Sequence, residues 1–369
     1  MVLTIIIAAI LSLAISLWAY LTFNPQFGGR VTTAELEKYA QSPQWSGKVF
    51  ENQSPTTLDI DLRSLPGLIR ANQKDARKRV PQRPIPIAPF DADAWANSTA
   101  PFQFIWYGHS VCLMQLGGQN LLIDPMFGPD ASPVGPMRTK RFSDDTLELI
   151  DHLPRLDAIF LTHDHYDHLD YASILRLKGK VGHYFVALGV KRHLLRWGIA
   201  SELITEMDWW DEGNIGKVNF TFTPSRHFSG RGLTDRTKCL WGGWVFQAPD
   251  YKVYWSGDGG YDNYFGEIGQ RLGPFDWAFM ECGQYYKLWT QIHARPEEAV
   301  QAAQAVRAKV STPVHWAGFK LAPHDWRDPV QRFVKAAEQT NLTIAIPEIG
   351  QRMTSESPLP VSPWWEDYN

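Results

Sequence analysis

The chain has 369 residues, 44% of them hydrophobic and 20% charged, a composition ordinary for a globular protein of one large domain or two fused halves. Its net charge of −3, from 36 Lys+Arg against 39 Asp+Glu, gives no general pull toward nucleic acid, and none is expected as a partner. Three cysteines, Cys112, Cys239 and Cys282, are an odd number without C-x-x-C spacing; they imply neither a disulfide framework nor a thiolate metal site, and read as buried small hydrophobes.

Residues 1–23 form the first element. Val2 to Phe23 carries no charge, and its Ile, Leu, Ala and Val residues make about 30 Å of helix, enough to cross a hydrocarbon core. Trp18 and Tyr20 near its far end fit an interfacial belt. The segment reads as an uncleaved, single-pass membrane anchor. A cleaved signal peptide is the competing reading, against which stand the missing basic n-region and the lack of a clean small-x-small site before Asn24.

Residues 24–100 are polar, rich in Pro and poor in sustained periodicity, and read as an extended arm wrapping the domain that follows. Arg70, Lys74, Arg77, Lys78, Arg79 and Arg83 form a basic cluster there. The plain reading is a solvated arm. The functional one is attraction to anionic headgroups, each cation near the surface giving about 1 kcal/mol.

The compact domain is expected over residues 101–369. Phe102 to Tyr107 and Val111 to Leu116 read as strands around Gly108-His109-Ser110, and Gly117-Gly118-Gln119-Asn120 turns into Leu121-Leu122-Ile123-Asp124-Pro125. The Gly- and Pro-rich loop Met126 to Arg141 is long enough to be a substrate lid or wall. Tyr171 to Leu177 and Val190 to Trp197 look helical, and Val218 to Phe222, Trp241 to Gln247 and Lys252 to Trp255 look like strands. Pro296 to Val306 starts as a helix should, with Pro in the first turn and acids at its positive end, and Pro329 to Gln339 predicts another.

The stretch with the most chemistry is Thr162 to Asp170, where His163, His165, Asp167 and His168 stand at H-x-H-x-D-H spacing after the apolar run Ala158 to Leu161. Such a run reads as a buried strand, so the four groups leave a strand end where a loop can fan them around a metal. Neutral imidazole and carboxylate suit zinc and its first-row relatives. His227, Asp258 and His315 each follow a strand-like run in the same way, Asp258 within a Gly-rich turn that lets backbone approach closely. Each alone is weak; the repetition of one geometry is what counts.

In this series, complete and in order, the chain resembles the metallo-β-lactamase fold superfamily of metal-dependent hydrolases, from about Phe102 to Gln351. Within it the chain looks most like the N-acylphosphatidylethanolamine-hydrolysing phospholipase D family. The resemblance is carried by Trp106-Tyr107-Gly108-His109-Ser110, Leu122 to Phe127, Thr162 to His168, His293-Ala294-Arg295-Pro296-Glu297-Glu298-Ala299-Val300 and His315 to Phe319. Its N-terminal hydrophobic segment is closer to the membrane-tethered bacterial members. The resemblance implies an α/β (α+β) fold: a four-layer αββα sandwich of two mixed sheets, helices outside, metals at one edge, preceded by the hydrophobic helix.

Seven ligands are too many for one tetrahedral ion and suit two divalent ions, zinc foremost, sharing one carboxylate and one hydroxide. By the family's pattern His163, His165 and His227 hold the first, Asp167, His168 and His315 the second, and Asp258 bridges. Two cations about 3.5 to 4 Å apart make a bridging water acidic enough to attack phosphorus or carbonyl near neutral pH. Asp167, Asp258 and His293 are the catalytic residues so implied. His293 matches an active-site His by its place in His-x-x-Pro-Glu-Glu, a helix-entry His bonded to backbone being the plain alternative. Gln284, Tyr285 and His324 are candidates for contacting substrate, and His109 reads as a turn residue.

The expected reaction is phosphodiester hydrolysis of the phospholipase D type on N-acylphosphatidylethanolamine-like lipids. The chain has 16 Trp and 19 Phe, and the pairs Trp209-Trp210 and Trp364-Trp365 read as either core or interfacial; a tether plus an aromatic surface would present the metal edge to headgroups. A small-molecule lactone or ester hydrolase is the alternative and predicts a small polar pocket where lipid predicts an apolar channel. A nuclease needs a basic groove that the composition does not supply, and a non-enzymatic binding module would be expected to have lost ligands.

Overall fold

In the computed structural model, which describes residues 1–58, 63–132 and 138–368, the chain lays down two sheets in succession. The first takes β1 (Phe102–Trp106), β2 (Cys112–Leu116), β3 (Gln119–Ile123), β4 (Leu156–Leu161), β5 (Val181–Ala187) and β6 (Ile204–Met207). The second takes β7 (Glu212–Ile215), β8 (Val218–Thr223), β9 (Gly243–Gln247), β10 (Lys252–Trp255), β11 (Phe275–Glu281) and β12 (Ala308–Val314), after which β13 (Arg352–Thr354) returns to the first. The orders are β13-β1-β2-β3-β4-β5-β6 and β12-β11-β10-β9-β8-β7.

Both sheets are mixed. Pairs from β13 through β3 are antiparallel and those from β3 to β6 parallel; pairs from β7 to β10 are antiparallel and those from β10 to β12 parallel. Parallel neighbours need crossovers, and helices supply them: Tyr171–Leu177, Lys191–Arg196, Tyr264–Arg271 and Pro296–Ala305. Between the sheets the core is aromatic. Phe160 on β4 meets Trp244 and Phe246 on β9 at 5.0 and 4.7 Å, and Phe104 on β1 meets Phe279 on β11 at 4.8 Å. The layers are helix, sheet, sheet, helix, as the resemblance implied.

The apolar runs expected as strands are strands, and the helices Pro296–Ala305 and Asp328–Thr340 carry Pro in their first turn as expected. The strands β5, β6, β7, β11 and the short β13 went unread, β12 was read only at its end before His315, and five helices went unread: Thr33–Tyr39, Leu65–Gln73, Ala92–Ala96, Leu149–His152 and Tyr264–Arg271. Ala-Lys-Val-Ser-Thr-Pro-Val in β12 shows why. Its polar residues and Pro313 hide the pattern, and Pro is tolerated because β12 ends the sheet order.

The helix Val2–Phe23 buries none of its residues against the domain. It is long and apolar enough to cross a membrane by length and composition, a test that a signal sequence near an N-terminus also meets. After it, Thr33–Tyr39 starts with a capping box between Thr32 and Glu35. Tyr39 and Phe50 are buried, their rings 5.2 Å apart with Trp45 beside both, and Ile85 and Trp95 also join the core.

Several expectations are corrected here. Arg79 does not belong to a solvated basic cluster: it is 5% exposed and its guanidinium donates to the carbonyls of Ala322 and Asn72. For the Trp pairs, which read as either core or interfacial, the structure favours core. Trp364 and Trp365 pack on Trp316 at 5.4 and 5.9 Å, Trp209 is buried with Nε1–H on the Trp241 carbonyl, and only Trp210 is half-buried, under Arg271. The loop Met126 to Arg141 includes residues 133–137, outside the described residues. Its described part is tied inward by Arg141, whose guanidinium donates to the Met126 carbonyl.

Candidate metal centre

The candidate ligands gather at one rim, each just past the C-terminal end of a strand. His163 to His168 follow β4, His227 follows β8, Asp258 follows β10 and His315 follows β12. The turns that carry them are tight. Gly257 beside Asp258 has φ +62, and a Cβ there would lie 2.3 Å from the Gly242 carbonyl oxygen, so only glycine fits. His109, Asp124 and His315 also hold left-handed φ of 53, 41 and 66, a conformation that costs about 1–3 kcal/mol at a non-glycine residue and collects at functional sites. Backbone bonds across the rim over-determine it: His109 N–H donates to Trp316 O at 2.8 Å and His315 N–H to His109 O at 2.9 Å.

One set of donors is His163, His165 and His227, with ligand atoms within 4.8 Å of one another. Nε2 of His163 lies 2.9 Å and Nε2 of His227 3.2 Å from Nδ1 of His165. A carbonyl only accepts, so Nδ1 of His227, 2.8 Å from Ile292 O, must carry the proton. Thr162 gives its hydroxyl proton to Asp124, so Oγ1 accepts from Nδ1 of His163 at 3.0 Å. Both Nε2 atoms are thus bare lone pairs aimed at a third imidazole nitrogen. Lone pairs converging in a buried spot repel unless a cation sits among them, and this donor set fits a metal. Burial first, and the neighbouring imidazoles next, push His163 well below its ordinary pKa, and burial pulls His165 down to about 4, so both are neutral near pH 7.

The second set is Asp167, His168 and His315, with His109 in reach of the same point. Nδ1 of His168 donates to Asp124 Oδ2 at 2.9 Å, which leaves Nε2 facing Nε2 of His315 at 3.3 Å. Asp167 Oδ2 lies 3.2 Å from Nε2 of His315 and 2.8 Å from Nε2 of His109. Glu281, at the end of β11, stands 3.4 Å behind Nδ1 of His315. Burial lowers the His315 pKa, but Asp258, Asp167 and Glu281 outweigh it and hold it up at about 10. That charge marks where a cation would be welcome. Asp258 joins the sets: its Oδ2 is 3.1 Å from Nε2 of both His168 and His315 and 3.8 Å from Nε2 of His227. Burial raises Asp258, yet His168, His315 and His227 hold it well below the usual carboxylate range.

A cavity of about 300 Å³ opens on these donors, lined by His165, Asp167, Asp258, His293 and His315. Leu58, Phe228, Trp289, Ile292 and Leu321 line it as well, together with Arg236. His293 is in the wall, its Nδ1 hydrogen-bonded to Glu281 rather than to backbone. Gln284 lines the cavity too, but its amide is spent inside the protein, accepting from Leu321 and Ala322 N–H and donating to Phe319 O.

Tyr285 and His324 are not among the described residues lining the cavity, contrary to the substrate-contact expectation. They stack on each other at 4.6 Å; the Tyr285 hydroxyl bonds Asp328, and His324 accepts from Gln284 N–H and donates to Asp325 O. They brace Gln284 from behind. His109 is a turn residue, as read, but its imidazole also reaches Asp167. The sequence reading passed over Asp124 and Glu281, though each ends an apolar strand as Asp258 does, and that shared position was the available signal.

A family profile described as "Beta-lactamase superfamily domain" matches residues 119–316. An uncharacterized protein of Mycobacterium tuberculosis is 37% identical over 333 residues, 88% of this chain and 88% of its own. The protein named N-acyl-phosphatidylethanolamine-hydrolyzing phospholipase D 1 of Caenorhabditis elegans is 31% identical over 319 residues, 80% of this chain and 89% of its own. Among solved structures, Igni18, titled a novel metallo hydrolase of the archaeon Ignicoccus hospitalis, superposes with a TM-score of 0.53 at 21% identity over 70% of this chain and 99% of its own, a likeness of fold.

Proposed function

The chain belongs to the metallo-β-lactamase superfamily of metal-dependent hydrolases, and from that premise we propose that it is a dinuclear phosphodiesterase of the phospholipase D type, acting on lipids like N-acylphosphatidylethanolamine. The observation that carries this reading is the mixed lining of the cavity. It brings cation-binding donors together with Leu58, Phe228, Trp289, Ile292 and Leu321. A phosphodiester headgroup with an apolar body matches both kinds of lining, whereas a small polar lactone would leave the apolar residues without a partner.

In this reading His163, His165 and His227 hold one divalent ion, Asp167, His168 and His315 the other, and Asp258 lies between, with zinc the best match to imidazole and carboxylate. When bound, such ions supply Lewis acidity toward the phosphoryl oxygens and lower the pKa of water. Asp124 accepts Nδ1–H of His168 and so fixes its tautomer with Nε2 directed inward, and Glu281 places negative charge 3.4 Å behind Nδ1 of His315. Glu281 accepts a hydrogen bond from Nδ1–H of His293, which leaves Nε2 of His293 to hold or hand over a proton at the oxygen leaving phosphorus. Arg236, seated over the Phe228 ring at 4.1 Å, brings positive charge to the cavity lining, which suits an anionic headgroup. The helix Val2–Phe23 is read as a single-pass anchor, residues 24–100 as an arm around the hydrolase domain of residues 101–369, and the lipid bilayer as the place where substrate is met.

The test is to incubate the purified, metal-loaded protein with N-acylphosphatidylethanolamine, bis-p-nitrophenyl phosphate and a panel of lactones. Release of the N-acylethanolamine and phosphatidic acid is the expected result. Lactone opening without phosphodiester cleavage overturns the proposal.

A further inference from the structure

The turn that leaves the N-terminal helix is fastened to the metal-ligand loop, although its sequence lies outside the family-matched residues 119–316. Two buried side chains make the connection. Arg231 is 3% exposed and donates through Nε and Nη2 to the Gln26 carbonyl at 3.0 and 2.8 Å. Through Nη1 it donates to Asp164 O and Leu169 O, both at 2.7 Å. These two carbonyls flank the ligands His165, Asp167 and His168. One guanidinium therefore pins both ends of the loop and the helix root together, and its plane lies 4.0 Å over the Tyr166 ring in the loop's middle.

The second connection runs through His193, fully buried on the helix Lys191–Arg196. Gly29 N–H donates to its Nδ1 at 3.1 Å, so Nε2 carries the proton and donates to Asp164 Oδ2 at 3.2 Å. The other oxygen of Asp164 accepts Gly230 N–H at 2.7 Å. Asp164 sits between the ligands His163 and His165, so its orientation sets theirs. The contact is close because residue 28 is glycine: a Cβ there would lie 1.8 Å from Nδ1 of His193, and φ is +68.

We propose that residues 26–29 are part of the metal centre's support, with Arg231 and His193 as positioning residues that transmit the placement of the helix root to His163 and His165. The inference rests on the metal reading above. Its consequence is that a change at the root of the N-terminal helix is felt as a change in metal affinity, with no ligand altered.

Gly28→Ala in the full-length chain is the test, with Gly47→Ala as its control. Gly47 also has positive φ, +87, but its Cβ would meet nothing within 4 Å, so the control carries the backbone strain without the collision. Zinc affinity is read by chelator competition, and ligand geometry by the visible absorption of the cobalt-loaded protein. Gly28→Ala is expected to weaken binding by about 10-fold or more, the scale of outer-shell changes, and to alter the cobalt spectrum; Gly47→Ala should do neither. Arg231→Lys keeps the charge but loses the fork that reaches three carbonyls, and should act in the same direction if Gly28→Ala fails to fold. Wild-type affinity and spectrum in the folded variants, with wild type itself binding metal, overturn this inference alone. A wild-type chain that takes up no metal overturns the proposed function and this inference with it.

Discussion

The two donor sets at the rim are built differently. Around His163, His165 and His227 the imidazoles are neutral and their outer nitrogens lean on uncharged partners, the Ile292 carbonyl and the Thr162 hydroxyl. Around Asp167, His168 and His315 a carboxylate is itself among the candidate ligands, and both imidazoles have carboxylates behind them, Asp124 and Glu281. Carboxylate backing raises imidazole basicity and adds negative charge in a buried place, so the second set should grip a dication more tightly. The comparison teaches that ligand identity alone does not rank the two positions; the shell behind the ligands does.

Removing what the sets share should have the largest effect. Asp258→Asn replaces the charge common to both with a neutral amide, and metal analysis after dialysis is expected to show both ions gone and activity with them; loss of one ion alone would break the assigned sharing. Next comes His293→Ala, which belongs to neither set. Turnover should fall by about 10²–10⁴, the usual contribution of proton transfer, while metal content stays at the wild-type level. Metal loss there would make His293 a ligand.

Asp124→Asn sharpens the asymmetry itself. It strips the direct backing from His168 and reaches His163 only through Thr162, so it should weaken one binding phase of a chelator titration by about 10–100-fold and the other by less. Equal loss in both phases would mean that the sets are not separable. The smallest effect is expected far from the rim, where Arg176 on an outer helix bonds the exposed Asp151 and holds it below the ordinary carboxylate range. The stability from that pair is present above the ordinary carboxylate pKa and lost as pH falls through the depressed one. Acid unfolding of wild type and Asp151→Asn should therefore differ slightly near neutrality and converge at low pH.

Much of this was legible in the residues. Ala158 to Leu161 is apolar on both faces because β4 is a central parallel strand, and that run pointed to the candidate ligands after it. The candidate His and Asp residues beyond β8, β10 and β12 were singled out by the same reasoning, although only the end of β12 before His315 was recognised, its Lys, Ser and Thr hiding the rest. The shell behind the ligands stayed hidden because it is assembled by sheet register. Glu281 faces His315 only because β11 and β12 run parallel with Glu281 opposite Val314, a pairing no local pattern announces. The placement of Tyr285 and His324 outside the described cavity lining was hidden for a related reason: nearness in sequence to Gln284 says nothing about which way a ring is turned.

The rim is a seam. The loop after β4 of one sheet supplies His163 to His168 and those after β8, β10 and β12 of the other supply His227, Asp258 and His315, so an ion held there would add a fastening to two layers already joined by aromatic packing and by backbone bonds across the rim. Anything that binds only the folded state stabilises it by mass action, about 2.7 kcal/mol when the free ion is at one hundred times its Kd. Thermal unfolding then becomes a gauge of loading: the midpoint should climb with added zinc and drop with chelator, without any substrate in the tube.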